Sequence, residues 1–119
     1  MHFTPATIPS EAAAQIAPAF DRFGLHDAEE WVARCREGTA HLWRCGDSWA
    51  TTEVIDLPKL RICHITALAG VWDQEIMQEI EAWAKSHGCQ RVFFTGRKGW
   101  AKKLPDYSPI ATVFEKVIT

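Results

Sequence analysis

The stretch Leu60-Arg61-Ile62-Cys63-His64-Ile65-Thr66-Ala67-Leu68-Ala69-Gly70-Val71-Trp72-Asp73 decides the fold. Its first nine residues are almost continuously apolar (Leu60, Ile62, Ile65, Ala67, Leu68), the pattern of a central strand covered on both faces. Asp73 then opens the longest helical pattern, to about His87, with Gly88 as its stop. Ile76, Met77, Ile80, Trp83 and Ala84 recur at helical spacing, so this helix lies with one apolar face on a sheet. A strand that turns directly into a helix makes a junction whose helix N-terminus can receive phosphate. Leu68 to Asp73 is therefore where coenzyme chemistry would show itself.

Downstream, Gln90 to Thr95 contains Val92-Phe93-Phe94 and reads as a strand. A right-handed crossover would bring it parallel to the Leu60–Leu68 strand. Gly96-Arg97-Lys98-Gly99-Trp100 leads into one or two helical turns through Leu104, Pro105-Asp106 ends them, and Ile110 to Ile118 is expected to form a final strand.

Upstream, the period is two. Ala40, Leu42 and Arg44/Cys45 form one strand, Trp49, Thr51 and Val54 lie in the next, and Gly46-Asp47 is a tight turn between them. Asp56-Leu57-Pro58-Lys59 turns the second into the Leu60 strand, completing an antiparallel meander. Before the meander, Ser10 is expected to cap a helix from Glu11 to about Phe23 with Gly24 as stop. Ala17-Pro18 should kink this helix or divide it into two pieces. Asp27 with Glu30 reads as a capping box for a helix that carries Trp31, Val32 and Cys35 inward and ends at Gly38.

Size and composition fit one soluble domain over residues 1–119, 47% hydrophobic and 24% charged. The longest apolar run, Ile62 to Val71, is interrupted by Cys63-His64 and Thr66 and is too short to span a bilayer. Met1-His2-Phe3-Thr4-Pro5 has neither a basic lead nor an apolar core, so the expected location is the cytoplasm. Cys35, Cys45, Cys63 and Cys89 show no zinc-type spacing, and no metal is assigned. The net charge of −2 gives no global argument for nucleic acid. Arg91, Arg97, Lys98, Lys102 and Lys103 nevertheless form a run free of carboxylates, readable as a solvated face or a phosphate patch.

The order of elements resembles the GCN5-related N-acetyltransferase (GNAT) fold over nearly the whole chain. Three segments resemble small GNAT-like proteins of tailed bacteriophages and prophages: Gly38-Thr39-Ala40-His41-Leu42-Trp43-Arg44; Glu81-Ala82-Trp83-Ala84 with His87-Gly88-Cys89; and Gly96-Arg97-Lys98-Gly99-Trp100-Ala101 with Leu104-Pro105. In those phages such a gene often sits near virion-assembly genes. The resemblance implies an α+β fold: a GNAT-like mixed sheet, an antiparallel meander followed by a parallel β-α-β crossover, with helices on both faces.

In GNAT enzymes the pantetheine arm of acetyl-CoA lies where the central strand splays from its parallel neighbour. Backbone groups of an Arg/Gln-x-x-Gly-x-Gly/Ala loop cradle the pyrophosphate. Carried onto this chain, the resemblance implies that Thr66, Ala67, Leu68 and Gly70 would line that site, with Arg97 and Lys98 on the outer phosphates. The chain departs from the pattern in three places. Only Gly70 of the two small residues is present, followed by Val71-Trp72. Asp73 and Glu75 bring negative charge to the helix start. Trp100 stands where many of these enzymes carry an acidic tyrosine, and an indole N–H cannot serve as that acid. Tyr107 lies after Pro105 and reads as a packing aromatic. Glu53 and His64 are the candidates for activating an amine; their structural alternatives are a solvated strand residue and a hydrogen-bonded sheet residue.

The six tryptophans fit either interface anchors or an aromatic-rich core. Together these features predict a phage-type GNAT-fold protein with a degenerate acetyl-CoA loop. Its expected role is non-catalytic binding or virion assembly, through a protein partner or self-association, with no cofactor, no membrane and no nucleic acid. Its expected place is the bacterial host cytoplasm or the virion. The alternative is an acetyl-CoA-dependent N-acetyltransferase acting on an amine of a small molecule or protein.

Overall fold

Gly46, at φ 57° in the turn Gly46-Asp47, reverses the chain tightly enough to pair Cys45 directly with Ser48. The computed structural model describes residues 1–21 and 26–118. Its elements are α1 (Ala12–Asp21), α2 (Ala28–Glu37), β1 (His41–Cys45), β2 (Ser48–Asp56), β3 (Arg61–Gly70), α3 (Gln74–Ser86) and β4 (Arg91–Phe94), with short 3-10 helices at Pro5–Thr7 and Lys98–Lys102. The sheet order is β1-β2-β3-β4; β1, β2 and β3 are antiparallel and β4 runs parallel to β3. This is the expected mixed sheet.

Alternation along the strands divides the core into two layers. Leu42, Trp49 and Ala67 face α1 and α2, where Ile16, Phe20, Trp31 and Val32 meet them. Trp43, Ala50, Cys63 and Ile65 face α3, against Ile76, Met77, Ile80 and Ala84. Each fully buried Ile or Leu in these layers contributes roughly 1.5–3 kcal/mol. The caps hold the helices in register with the sheet. Asp27 accepts from the Glu29 N–H (3.1 Å) and Asp73 from the Glu75 N–H (2.9 Å). Gly38, at φ 82°, closes α2 by donating back to its last turn.

Several expectations change. The α1 helix runs through Pro18 as one helix from Ala12, without dividing; packing of Ile16 and Phe20 outweighs the missing N–H at one position. The expected ending at Phe23-Gly24 lies outside the described residues. At α2, Asp27 makes its cap bond to Glu29, and no reciprocal bond from Glu30 completes a box. The predicted last strand is not formed: residues 105–118 carry no strand, and Ile110, Val113, Phe114, Val117 and Ile118 are exposed. Its β-branched sequence suits a strand, yet nothing in this fold pairs with it. Trp31, Trp43 and Trp49 are buried core residues, whereas Trp72, Trp83 and Trp100 are half-buried.

Candidate functional site

The sheet opens at one residue. Thr52 pairs with Ile65 and Thr51 with Ala67, so Thr66 is an extra residue in β3, a β-bulge. The bulge inverts the alternation. Ile65 points to the α3 layer, and Ala67, two residues later, points to the α1 layer. Thr66 compensates for the broken ladder by sharing a hydrogen bond with the Thr51 hydroxyl (2.7 Å) and donating to the Thr51 carbonyl (3.2 Å). The pairing of β3 with β4 ends at the same level, at Ile65 and Phe94, while β3 continues to Gly70. From Thr66 onward the β4 side of β3 therefore has no strand partner.

A cavity of about 130 Å³ fills that gap. His64, Thr66, Ala67, Leu68 and Thr95 line it, between Phe20 of α1 and Trp100 of the second 3-10 helix. A second cavity, about 260 Å³, adjoins it at the β3–α3 junction and shares Leu68, Arg97 and Trp100 with it. Gly70, Trp72 and Lys103 complete that outer part, and Trp72 and Trp100 meet edge to face at 5.2 Å.

A chain of polar side chains leads to the inner cavity. Arg34 donates to Glu53 (Nη1 to Oε2, 3.1 Å), the other carboxylate oxygen lies 3.8 Å from Nδ1 of His64, and Nε2 of His64 is 2.8 Å from the Thr95 hydroxyl. The register makes this possible, because Glu53 and His64 are direct cross-strand partners and His64 in turn pairs with Phe93, two residues before Thr95. Burial lowers the His64 pKa, and the Glu53 carboxylate partly opposes that fall. The ring is consequently neutral near pH 7. In the tautomer with its proton on Nδ1, on the Glu53 side, Nε2 accepts from the Thr95 hydroxyl at the cavity.

The β3–α3 junction is different. Gly70, at φ 82°, lies against the Gly46-Asp47 turn so tightly that a Cβ would stand 2.0 Å from the Asp47 carbonyl oxygen. This glycine is required by strand packing. Three of the junction's donors are also taken: Val71 N–H goes to the Asp47 carbonyl, Glu75 N–H to the Asp73 carboxylate and Ile76 N–H to the Asp73 carbonyl. Asp73 thus caps the helix start with its own side chain and carbonyl. Arg97 and Lys103 instead line the outer cavity, with Lys103 Nζ 5.2 Å above the Trp100 ring. Tyr107 donates to Glu81 of α3 (2.7 Å) and is not among the cavity residues; burial and that carboxylate push its pKa far up, so it is no proton donor to the cleft.

The structure thus places Glu53 beside His64, and brings His64, Thr66, Ala67, Leu68 and Arg97 to one cavity, with Gly70 in the adjoining one. Lys98 begins the neighbouring 3-10 helix. Residue order alone does not disclose Arg34 and Thr95: the docking of α2 brings in Arg34, and strand register brings in Thr95. Among the described residues no group of three His, Cys, Asp or Glu is arranged to hold a metal, and no helix is long and apolar enough to cross a membrane.

The chain has counterparts of similar fold among solved structures. A GCN5-related N-acetyltransferase from Ralstonia eutropha superposes with a TM-score of 0.70 at 12% identity, covering 98% of this chain and 96% of that one. The fold is that of the GCN5-related N-acetyltransferases. A probable acetyltransferase matches with a TM-score of 0.68 at 8% identity, over 100% of this chain and 95% of its own. Ribosomal-protein-alanine N-acetyltransferase from Brucella melitensis biovar Abortus matches at 0.62 and 10% identity, over 100% and 97%. No protein-family model and no curated protein sequence matches the chain.

Proposed function

We propose that this GNAT-fold chain is an acyltransferase that takes an acyl-coenzyme A thioester in the gap between β3 and β4 and transfers the acyl group to an amine. One observation carries the reading: the bulge at Thr66 opens the sheet beside a neutral His64 backed by Glu53. The open backbone of Thr66 to Leu68 suits the amide groups of a pantetheine arm, which can hydrogen-bond along an unpaired strand edge. Arg97 and Lys103, which line the outer cavity, suit the phosphates. His64, directly or through the Thr95 hydroxyl, accepts the proton that the amine loses as its nitrogen attacks the thioester carbonyl. The C–S bond then breaks and its electron pair leaves with the sulfur. A thiolate is a tolerable leaving group near neutral pH without an acid, which suits a cleft whose aromatic is Trp100.

The test is release of free thiol from acetyl-CoA in the presence of a panel of primary amines and amine-bearing peptides. Amine-dependent release above the hydrolytic background supports transfer; none with any acceptor argues for a second reading. In that reading the chain is a non-catalytic binding protein, of the phage-type, virion-assembly kind its sequence segments resemble. The observation favouring it is the occupied loop: Val71, Glu75 and Ile76 N–H groups are all satisfied within the protein.

A further inference from the structure

Arg34 lies in the last turn of α2, and the end of its side chain is fixed at three points. Nη1 donates to Oε2 of Glu53 (3.1 Å), Nη2 donates to the Thr39 carbonyl (3.3 Å), and Cζ stands 4.2 Å from the centroid of the Trp31 ring. Trp31 is itself buried in the layer that α1 and α2 form on the sheet, so the guanidinium rests on a packed platform. Thr39 is tied back in turn: its N–H and its hydroxyl both donate to the Arg34 carbonyl (3.0 and 3.3 Å). A guanidinium can hold a carboxylate and a carbonyl at once because its N–H groups point in fixed directions; an ammonium has no such fork.

The consequence falls on Glu53. Among the described residues its carboxylate accepts one hydrogen bond, from Arg34. The other oxygen lies 3.8 Å from Nδ1 of His64, beyond hydrogen-bond length, although the two residues are direct cross-strand partners. A carboxylate released from Arg34 could close that gap, and a closer carboxylate favours the imidazolium. The other groups facing His64 act differently. The Thr95 hydroxyl, 2.8 Å from Nε2, carries no charge, while His26 and Arg97 on the cavity wall oppose any added positive charge. Glu53 is the carboxylate against the ring, and Arg34 decides how close it comes.

We propose that Arg34 is a positioning residue of the cleft: its fork, braced by Trp31 and the Thr39 carbonyl, holds the Glu53 carboxylate back from His64, so that the ring keeps its direction yet remains a free base toward Thr95. An imidazole closed into a tight ion pair with Glu53 would keep its proton and could not receive another. The proposal builds on the acyl-transfer reading, in which His64 takes the proton of the amine directly or through Thr95, but its geometry can be tested without any acyl transfer.

The test is a pH titration of the His64 ring by proton–carbon nuclear magnetic resonance in the full chain, with His64→Gln identifying its signals among the five histidines. Arg34→Met, which keeps the stem over Trp31 but removes the fork, should raise the midpoint of the His64 titration by about 0.5 to 1 pH unit. Glu53→Gln should lower it, and Arg34→Met added to Glu53→Gln should change it no further, because Arg34 acts through the carboxylate. Arg34→Lys keeps the charge without the fork, should show part of the rise, and serves where Arg34→Met does not fold. A His64 midpoint unmoved in both Arg34 variants overturns the proposal and leaves Arg34 a structural tie between α2 and β2. A rise that persists in full in the Glu53→Gln background overturns it too, since Arg34 would then act on the ring by charge alone. Amine-dependent thiol release from acetyl-CoA supplies the second readout: its acid limb should move to higher pH in Arg34→Met by the same amount. Titrations that behave as expected with no thiol release from any variant would uphold the positioning role and remove the acyl-transfer reading.

Discussion

Glu53 and His64 stand directly opposite each other on β2 and β3, with a carboxylate oxygen 3.8 Å from Nδ1, and the far side of the imidazole reaches Thr95 at the mouth of the sheet's gap. Arg34, from α2, holds the second carboxylate oxygen. The arrangement fixes the ring's direction and sets which nitrogen faces the cavity. It is a polar chain with one end in the protein and the other in the cleft.

If His64 is the base, His64→Ala should lower kcat for acyl transfer by roughly 10²- to 10⁴-fold. Glu53→Gln should cost less, on the order of tenfold, because the ring remains. Activity should rise with pH as His64 loses its proton, with the acid limb below the ordinary histidine value. The Glu53 carboxylate raises the His64 pKa, so Glu53→Gln should move that limb to still lower pH. A rate–pH profile unaltered by Glu53→Gln, or full activity in His64→Ala, removes both residues from the reaction.

In the proposed reading, Arg97 and Lys103, which line the outer cavity, are the phosphate contacts. Replacing both by Ala should weaken coenzyme A binding about tenfold or more, and reduce its sensitivity to salt, while leaving binding of a phosphate-free pantetheine unchanged. Isothermal titration with both ligands distinguishes the outcomes. Equal weakening of the two would place the phosphates elsewhere.

Gly70→Ala should destabilise the fold by about 2–4 kcal/mol, since the added carbon meets the Asp47 carbonyl at 2.0 Å and the backbone is left-handed there. Chemical denaturation measures this directly. A loss below about 0.5 kcal/mol would mean the turn shifts freely, and that the glycine has another reason to be there.

A histidine pair away from the cleft makes stability depend on pH. His2 Nε2 lies 3.1 Å from His41 Nδ1, and the His2 ring stacks on Trp43 at 4.2 Å beside Trp83, which His41 and His87 also contact. Burial first, then the positive charges His41 and His87 would carry, pull His2 down to about 4; Glu79 opposes this and the terminal amine adds to it. Burial and His87 lower His41 as well. Both groups bind protons more readily when unfolded, so stability is full above the unfolded value near 6.5 and falls as pH drops toward 4. The loss should be on the order of 1–2 kcal/mol, allowing for screening of a half-buried ring. Thermal unfolding from pH 7 to 4.5 should therefore fall less steeply in His2→Phe, which keeps the stack on Trp43 without the proton. An equally steep fall would acquit this pair.

Much of this fold could be read from residue order. The meander, the β3–α3 junction and the parallel return to β4 follow from a period that changes from two to 3.6 and back, punctuated by Gly46, Asp73 and Gly88. The Thr66 bulge could not be read, because one extra residue in a ladder leaves no trace in a sequence as apolar as Ile65 to Leu68. Its consequence, the inversion that places Ala67 on the α1 side, was equally invisible. Pro18 shows the opposite error: local chemistry argued for a break, and tertiary packing of Ile16 and Phe20 overrode it. The tail shows a third kind. Ile110 to Ile118 has the composition of a strand, but strand formation needs a partner edge that composition cannot name.

Titration of coenzyme A against the protein, followed by tryptophan fluorescence, tests the central claim most directly, since Trp72 and Trp100 flank the outer cavity. The account predicts a saturable change at micromolar ligand, lost when Arg97 and Lys103 are both replaced by Ala. No change in fluorescence or in thermal stability up to millimolar coenzyme A would contradict it.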